Sequence, residues 1–210
     1  MSRKKPQKKN KHFNTNTLRI IGGEWRSRKL SFVDAQSLRP TPDRIRETLF
    51  NWLQGRIHGA NCLDLFAGSG VLGLEALSRG ANQLVFVEKN KSVAEQLKTN
   101  LELLKADADV HHADAMDYLT SSNTIEKWGG VLQEDSAERF DIIFLDPPYR
   151  KNLLKEALTI LCGAENGLVD GNTLIYLEHE TEESFDWDEF GLKVLKEASA
   201  GQVKSYLMGF

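Results

Sequence analysis

The stretch Asp64-Leu65-Phe66-Ala67-Gly68-Ser69-Gly70 decides the fold of this chain of 210 residues. The apolar run Cys62–Phe66 leads into it, and Val71–Ser78 follows it with apolar residues at helical spacing. Gly68 and Gly70 allow a tight turn and a close approach to a ligand, while the free N–H groups at the start of a helix attract an anion. The pattern therefore predicts a strand, a ligand-binding glycine loop and a helix.

The alternation of strand and helix continues toward the C-terminus. Further strands are predicted at Gln83–Val87, Val110–His112, Phe140–Leu145, Thr173–Leu177, Leu192–Leu195 and Val203–Met208, and further helices at Lys91–Leu104, near Met116 and at Leu153–Leu161. Strands that alternate with helices indicate a parallel sheet, and the lack of a helix between the last two strands predicts an antiparallel C-terminal edge. We therefore predict an α/β, Rossmann-like fold with a mostly parallel, seven-stranded sheet.

The N-terminal part of the chain has a different pattern. Leu18–Ile21 and Lys29–Val33 are apolar runs on either side of a glycine pair, which predicts a small β-hairpin. Two prolines precede a helix that we expect to begin near Asp43. Residues 1–17 lack periodic apolar positions and are expected to be a basic, disordered tail. The predicted parts are thus residues 1–17, 18–56 and a catalytic domain at 57–210, with a surface insertion near 120–138.

The formal net charge of −3 conceals a strongly basic N-terminus. Within residues 1–30 the single acidic residue is Glu24, and the basic residues are Arg3, Lys4, Lys5, Lys8, Lys9, Lys11, Arg19, Arg26, Arg28 and Lys29. Neutralisation of phosphates and release of counterions drive nucleic-acid binding, so this segment is typical of an arm that contacts a polyanion. A solvated tail without a specific partner is the alternative.

Composition excludes several classes of protein. Hydrophobic residues at 40% and charged residues at 27% are ordinary for a soluble globular protein. The apolar runs fall far short of the ~20 residues that a membrane helix needs, and the basic N-terminus lacks the apolar segment of a secretory signal. Cys62 and Cys162 lack the paired spacing of zinc sites. We expect a cytoplasmic monomer without a membrane or metal partner.

The glycine loop leaves two nucleotide cofactors open. The segment Gly68–Gly73 fits the G-x-G-x-x-G dinucleotide pattern, and Glu88 lies at the sequence distance expected for an acid that binds a ribose. Asp64 favours S-adenosylmethionine over NAD, because a carboxylate beside the loop repels a pyrophosphate but accepts hydrogen bonds from an ammonium group. Asp114, after the strand at 110–112, is a second acceptor and suits an adenine amine.

The predicted strand Phe140–Leu145 ends in Asp146-Pro147-Pro148-Tyr149. Ligands in open α/β sheets bind beyond the carboxyl ends of strands, so this segment faces the same crevice as the glycine loop. The amine of a nucleic-acid base is a weak nucleophile, and acceptors at its two hydrogens, the Asp146 carboxylate and the Pro147 carbonyl, hold its nitrogen toward a methyl donor. Pro148 stiffens the loop, and Tyr149 is placed to stack on an extruded base. An ordinary turn is the alternative.

Together these motifs resemble the class I methyltransferase motif set, with the amino-methylating signature at Asp146–Tyr149. Other segments are similar to the bacterial RsmD family, namely Leu18–Gly23, Trp25–Leu30, Arg39–Leu53, Leu72–Arg79 and Gly201–Val203. The resemblance runs from about Leu18 to the C-terminus. It implies methylation by S-adenosylmethionine of guanine N2 in small-subunit (16S) ribosomal RNA, within an assembling subunit.

The motifs and the resemblance together define the candidate site residues. The candidate catalytic residues are Asp146, Pro147, Pro148 and Tyr149, and the candidate cofactor-binding residues are Thr41, Asp64, Phe66, Gly68, Gly70, Glu88, Asp114 and Ala115. The candidate RNA-binding residues are Arg26, Arg28, Lys29, Arg39 and Arg44, with Arg46 as a further phosphate contact. The alternative for Arg44 and Arg46 is the exposed face of an amphipathic helix.

Three other functions compete at this point. An adenine-N6 methyltransferase acting on DNA or RNA uses the same tetrapeptide, because adenine also presents a conjugated amine; the N-terminal resemblance favours guanine. A non-catalytic RNA-binding assembly factor needs neither Asp146 nor Gly68. A dehydrogenase that binds NAD has no use for Asp146–Tyr149.

Overall fold

Short apolar runs build the strands, and longer segments with apolar residues three and four apart build the helices. The computed structural model describes residues 15–33, 41–122, 124, 139–148, 152–163 and 167–210. The strands are β1 (Thr15–Arg19), β2 (Lys29–Val33), β3 (Asn61–Asp64), β4 (Gln83–Glu88), β5 (Asp109–His112), β6 (Ile142–Leu145), β7 (Leu174–Glu180), β8 (Lys193–Ala200) and β9 (Val203–Gly209). The helices are α1 (Asp43–Trp52), α2 (Val71–Ser78), α3 (Lys91–Leu104), α4 (Ala115–Thr120) and α5 (Leu153–Leu161), with a 3-10 helix at Trp187–Phe190.

The main sheet contains seven strands in the order β5-β4-β3-β6-β7-β9-β8. The first five pair in parallel, whereas β9 is antiparallel to both β7 and β8. This confirms the mostly parallel sheet with an antiparallel C-terminal edge; the reversed strand is β9, one place in from the edge. The chain order reverses between β3 and β6, and ligands of such sheets bind in the crevice beyond the strand ends at this switch point.

Side chains of the sheet alternate between two apolar layers. One layer contains Phe86, Phe144 and Tyr176 and packs against α1, α2, α3 and the N-terminal hairpin. The other contains Ile143 and Ile175 and packs against α4 and α5. All four residues of β6 are buried, as expected for a parallel strand covered on both faces. Within the part of the chain that the structure describes, no helix is long and apolar enough to cross a membrane.

The N-terminal hairpin begins earlier than we predicted. Its ladder runs from Thr15 opposite Val33 to Arg19 opposite Lys29, so β1 takes in residues 15–17 that we had assigned to the tail. Backbone pairing, which needs no apolar side chain, extends the strand beyond Leu18 because β2 offers partners along its whole length. Residues 1–14 and most of the predicted insertion at 120–138 lie outside the described residues.

The prediction that Arg46 contacts phosphates is wrong. Arg46 is only 2% exposed, and its guanidinium donates to the carbonyls of Thr41 (3.1 Å) and Arg19 (3.0 Å). It also pairs with Asp43 and Glu75. Helical spacing identified α1 correctly but does not distinguish an exposed arginine from one that reaches a buried carboxylate on another helix.

Glu75 of α2 is the buried partner of this arginine, at 0% exposure. Its Oε2 accepts the N–H of Ile21 at 2.9 Å and a guanidinium N–H of Arg46 at 3.4 Å. Its Oε1 accepts from Arg79 at 2.9 Å. Because a buried carboxylate must be paired, these contacts fix the hairpin and α1 against α2, the helix that begins at the glycine loop.

Ser78 provides the second connection between α2 and the hairpin. Its Oγ accepts the N–H of Trp25 at 2.9 Å and donates to the carbonyl of Gly22 at 2.6 Å. Trp25 is buried in the core. The N-terminal segment is therefore held along α2 and carries Thr41 to the carboxyl edge of the sheet.

Candidate active site

The glycine loop joins β3 to α2 at the carboxyl edge. Gly70 is the N-cap of α2 with a φ of +75°, a left-handed conformation that glycine adopts without strain. Gly73 lies against Phe86, and a Cβ added there would come within 2.3 Å of the phenylalanine ring. Glycine is therefore required for close packing of α2 on β4. The loop brings the N-terminus of α2 to the edge of the crevice, as predicted.

Asp64 ends β3 and is buried, at 3% exposure. Its Oδ2 accepts the N–H of Gly73 at 3.1 Å, one of the first-turn N–H groups that have no partner inside a helix. Burial raises the pKa of Asp64 to about 7; the Gly73 hydrogen bond lowers it, and the charges of Asp146 and Glu88 raise it. A cationic ligand would relieve this concentration of negative charge. Contact with a cofactor ammonium stays a prediction.

Glu88 ends β4 and supports the glycine loop. Its Oε2 accepts the N–H of Gly68 at 2.9 Å, and its Oε1 accepts the N–H of Asn90 at 2.5 Å. Each carboxylate oxygen has a second lone pair, so these contacts are compatible with the predicted hydrogen bonds to ribose hydroxyls. The structure thus brings Glu88 and the glycine loop together, as the sequence distance suggested.

Asp114 follows β5 and caps α4. Its Oδ1 accepts the N–H of Met116 at 2.9 Å, and its Oδ2 pairs with Lys89 at 2.7 Å. The hydrogen bond from Lys89 is the main cause that lowers the pKa of Asp114, and burial opposes it. The Lys89 side chain is 80% exposed, so an adenine amine can compete for this oxygen. Ala115 is buried and Phe66 half-buried, and both contact the apolar layer under α4.

Asp146 follows β6, across the switch point from Asp64. The Thr41 hydroxyl donates to its Oδ2 at 3.3 Å, and Thr41 is itself buried. Burial raises the pKa of Asp146 to about 6, and the hydrogen bond from Thr41 lowers it. In its ionised form, Asp146 can accept hydrogen bonds from an amine. Pro147 is buried and Pro148 exposed, while Tyr149 lies outside the described residues.

Our sequence reasoning missed Glu178. Leu145 of β6 pairs with Leu177 of β7, so the next residues, Asp146 and Glu178, are neighbours at the carboxyl edge. Glu178 is 3% exposed, and its Oε1 accepts the Tyr176 hydroxyl at 2.6 Å. Burial and the charge of Asp146 raise the pKa of Glu178 to about 8. The available signal was an acid after a buried apolar run, but its proximity to Asp146 depends on strand order.

A cavity of about 230 Å³ lies beside Pro147 and Pro148, two of the candidate catalytic residues. Its wall includes Pro147, Pro148, Leu153, Glu178, His179 and Phe185. The His179 ring stacks on Tyr206, with centroids 5.4 Å apart, and Phe185 stacks on Trp187 at 5.1 Å. The cavity thus has a carboxylate at one side and packed aromatic rings at another.

A family model matches most of the chain. The family described as Conserved hypothetical protein 95 covers residues 18–209. The chain belongs to this family. A relative from Haemophilus influenzae, named ribosomal RNA small subunit methyltransferase D, is 44% identical over 89% of this chain and 90% of its own length. These findings confirm the resemblance to the RsmD family and the interpretation of the chain as a methyltransferase.

Solved structures agree with the family assignment. A structure described as the putative methyltransferase yhhF from Escherichia coli is 42% identical, covers 92% of this chain and 98% of its own, and has a TM-score of 0.76. A Thermus thermophilus 16S rRNA N2 G1207 methyltransferase, in complex with AdoMet and guanosine, has a TM-score of 0.62 at 20% identity and covers 94% of this chain and 50% of its own. At that identity the second likeness shows the fold alone.

Two of the candidate RNA-binding residues, Arg26 and Arg28, lie away from the glycine loop. Arg26, Arg28, Lys29 and Arg44 are exposed, and Arg39 lies outside the described residues. The turn that carries Arg26 and Arg28 packs on the C-terminal end of α2, where the N–H of Glu24 donates to the Ser78 carbonyl at 2.7 Å. Since α2 has 8 residues, this end is about 12 Å along the helix from the loop, at 1.5 Å per residue.

Proposed function

We propose that this protein transfers a methyl group from S-adenosylmethionine to the exocyclic N2 amine of a guanine in small-subunit ribosomal RNA. The observation that carries the proposal is Asp146, a carboxyl group at the switch point of the sheet that accepts a hydrogen bond from Thr41. The name of the Haemophilus relative supports the RNA substrate. Ribosomal RNA is a cytoplasmic substrate in bacteria, and we place the activity there.

The residues of the crevice fit a cationic cofactor. The charges of Asp146 and Glu88 are close enough to Asp64 to raise its pKa. The ammonium and sulfonium groups of S-adenosylmethionine would offset this repulsion between carboxylates. A pyrophosphate, as in NAD, would add to it. Glu88 and Asp114 would accept from the ribose and the adenine amine. When bound, the cofactor supplies an electrophilic methyl group on a positively charged sulfur.

The catalytic segment orients the amine and stabilises its charge. Asp146 and the Pro147 carbonyl each accept one hydrogen of N2, which directs the nitrogen lone pair toward the methyl group. The new N–C bond forms as the C–S bond breaks, and the electron pair of that bond stays on sulfur. The nitrogen then carries a positive charge, which Asp146 stabilises until a proton leaves to water. A dedicated general base is not required.

Guanine is favoured over adenine by the N-terminal resemblance to the RsmD family, since the tetrapeptide serves either amine. Arg26 and Arg28 lie at the end of α2 that is distant from the glycine loop. We therefore expect them to contact phosphates of neighbouring nucleotides and not the phosphate of the target nucleotide. Such contacts orient an RNA without reading its sequence. We propose that the protein acts on this RNA as a monomer, within small-subunit particles.

A labelling experiment tests the proposal. The protein is incubated with methyl-labelled S-adenosylmethionine and, separately, with ribosomal RNA, small subunits and DNA, and the labelled nucleoside is then identified. We expect N2-methylguanosine in small-subunit RNA. N6-methyladenosine would support the adenine alternative, and RNA binding without any labelled nucleoside would support the non-catalytic assembly factor.

A further inference from the structure

The proposed mechanism leaves one buried carboxylate at the site without a role. Glu178 lies within β7, beside Asp146 where the pairing of β6 with β7 ends, and it lines the cavity next to Pro147. Its Oε1 accepts the Tyr176 hydroxyl at 2.6 Å, while Oε2 makes no hydrogen bond to the residues that the structure describes. Burial and the charge of Asp146 raise the pKa of Glu178 to about 8. A ligand that donates a hydrogen bond to Oε2 would favour the ionised form of this carboxyl group.

The edge of guanine provides such a donor next to the amine that Asp146 binds. Guanine presents the N1–H directly beside the N2 amine, whereas adenine and 2-aminopurine have a lone pair at N1. We propose that Glu178 selects guanine by accepting the N1–H of the target base while Asp146 holds its N2 amine. This inference rests on the proposed function and names the residue that gives that site its preference for guanine.

The cavity walls fit a neutral base better than a phosphate. Glu183 and Asp186 also line the cavity, and the charge of Lys155 in its wall is paired with Glu189. The carboxylates of Glu183 and Asp186 would repel a phosphate group. A volume of about 230 Å³ is below the ~300–1,000 Å³ of pockets for drug-sized ligands, which suits one extruded base. Phe185 offers a ring for stacking, the contact that flipped bases make in their pockets.

The first test changes the substrate and leaves the protein intact. Once the methylated guanine is mapped, small subunits are reconstituted with guanine or 2-aminopurine at that position, and kcat/KM is measured for both. 2-Aminopurine keeps the amine but places a lone pair opposite Glu178. We expect wild-type kcat/KM to be at least about tenfold lower for 2-aminopurine, the effect of one hydrogen bond to a charged group.

The second test changes the protein. Glu178→Gln keeps an oxygen for the Tyr176 hydroxyl and places an N–H₂ donor where the free oxygen lay, so the ratio of guanine to 2-aminopurine activity should fall at least about tenfold. A merely structural role would lower both activities together and leave the ratio unchanged. Glu182→Gln, an exposed acid on the following segment, is the matched control and should keep the wild-type ratio.

The outcomes separate this inference from the proposed function. An unchanged ratio in Glu178→Gln, or equal wild-type activity on both bases, overturns the role of Glu178 while guanine methylation stands. If Glu178→Gln does not fold, the wild-type comparison alone decides. If the wild-type protein methylates no guanine at all, the proposed function fails together with the inference that depends on it.

Discussion

The carboxyl groups on the two sides of the carboxyl edge, proposed to bind cofactor and substrate, have different hydrogen-bond partners. At the ends of β4 and β5, Glu88 and Asp114 have both oxygens engaged by backbone N–H groups or by Lys89. Where the pairing of β6 with β7 ends, Asp146 and Glu178 each accept a hydrogen bond from one hydroxyl and have raised pKa values. We infer that Glu88 and Asp114 hold the loops around them in one conformation. Asp146 and Glu178 each have an oxygen that could accept an N–H group of a substrate.

The largest effect that this difference predicts is on turnover. Asp146→Asn preserves size but turns a donor toward the substrate amine, and loss of one such positioned group typically lowers the rate by about 10²–10³. Single-turnover methylation of small-subunit RNA measures it. The affinity for S-adenosylhomocysteine, measured by calorimetry, should change little because the proposed adenosine contacts, Glu88 and Asp114, are on the other side of the edge.

Asp107→Asn is the control for this substitution, because Asp107 is exposed and lies after α3. It should keep wild-type turnover and melting temperature. Near-normal turnover in Asp146→Asn, or a severe fall in its melting temperature, would mean that Asp146 is a structural acid.

The next effect is on cofactor affinity. Glu88→Ala removes both the proposed ribose contact and the acceptor of the Gly68 N–H, so binding of S-adenosylhomocysteine should weaken by about 1–3 kcal/mol. Turnover at saturating cofactor should stay near normal. Glu102→Ala, an exposed glutamate of α3, is the control. An unchanged dissociation constant in Glu88→Ala would remove Glu88 from the cofactor site.

A smaller effect concerns pH. Because only ionised Asp146 offers a negative charge to the developing positive charge on nitrogen, the rate should fall by up to about tenfold per pH unit below its pKa of about 6. Thr41→Val removes the hydrogen bond that favours the ionised form, so the midpoint of the rate profile should move to higher pH. Activity at pH 6 should then fall more than activity at pH 8. Identical profiles for both proteins would show that Thr41 does not tune Asp146.

The smallest effect is expected for Asp114→Asn. Asparagine caps helices as well as aspartate does, and an exposed pair such as that with Lys89 contributes about 0–1 kcal/mol. The free energy of unfolding, measured by denaturant titration, should therefore change by less than about 1 kcal/mol. A larger loss would mean that the Asp114 carboxylate contributes to stability beyond its cap and its exposed ion pair.

The helices were more predictable than the strands. α2, α3 and α5 begin and end at the predicted residues, because local signals such as the Asn90 cap, which accepts from two N–H groups of α3, define them. Strand ends depend on the partner: β8 continues to Ala200 instead of Leu195 because β9 pairs with it over that length. No local pattern contains this information.

The sequence predicted the positions of those site residues that directly follow or end a parallel strand. Asp64, Asp114 and Asp146 follow apolar strands, and parallel strands end at one edge, so their proximity followed from the fold class. Arg46 and Glu75 lie 29 residues apart on different helices, and their contact depends on how α1 packs on α2. Glu178 could be placed beside Asp146 only once the order of β6 and β7 was known.

The contacts along α2 make the N-terminal hairpin inseparable from the sheet that it covers. A fragment that begins at residue 57 would lack Arg46 and Ile21, which donate hydrogen bonds to Glu75. The buried Glu75 carboxylate would then have too few partners. Removing one partner of a buried ion pair costs about 3–5 kcal/mol, a large part of the ~5–15 kcal/mol that stabilises a typical domain. The hairpin and the sheet should therefore unfold cooperatively, in one thermal transition, as a single folding unit.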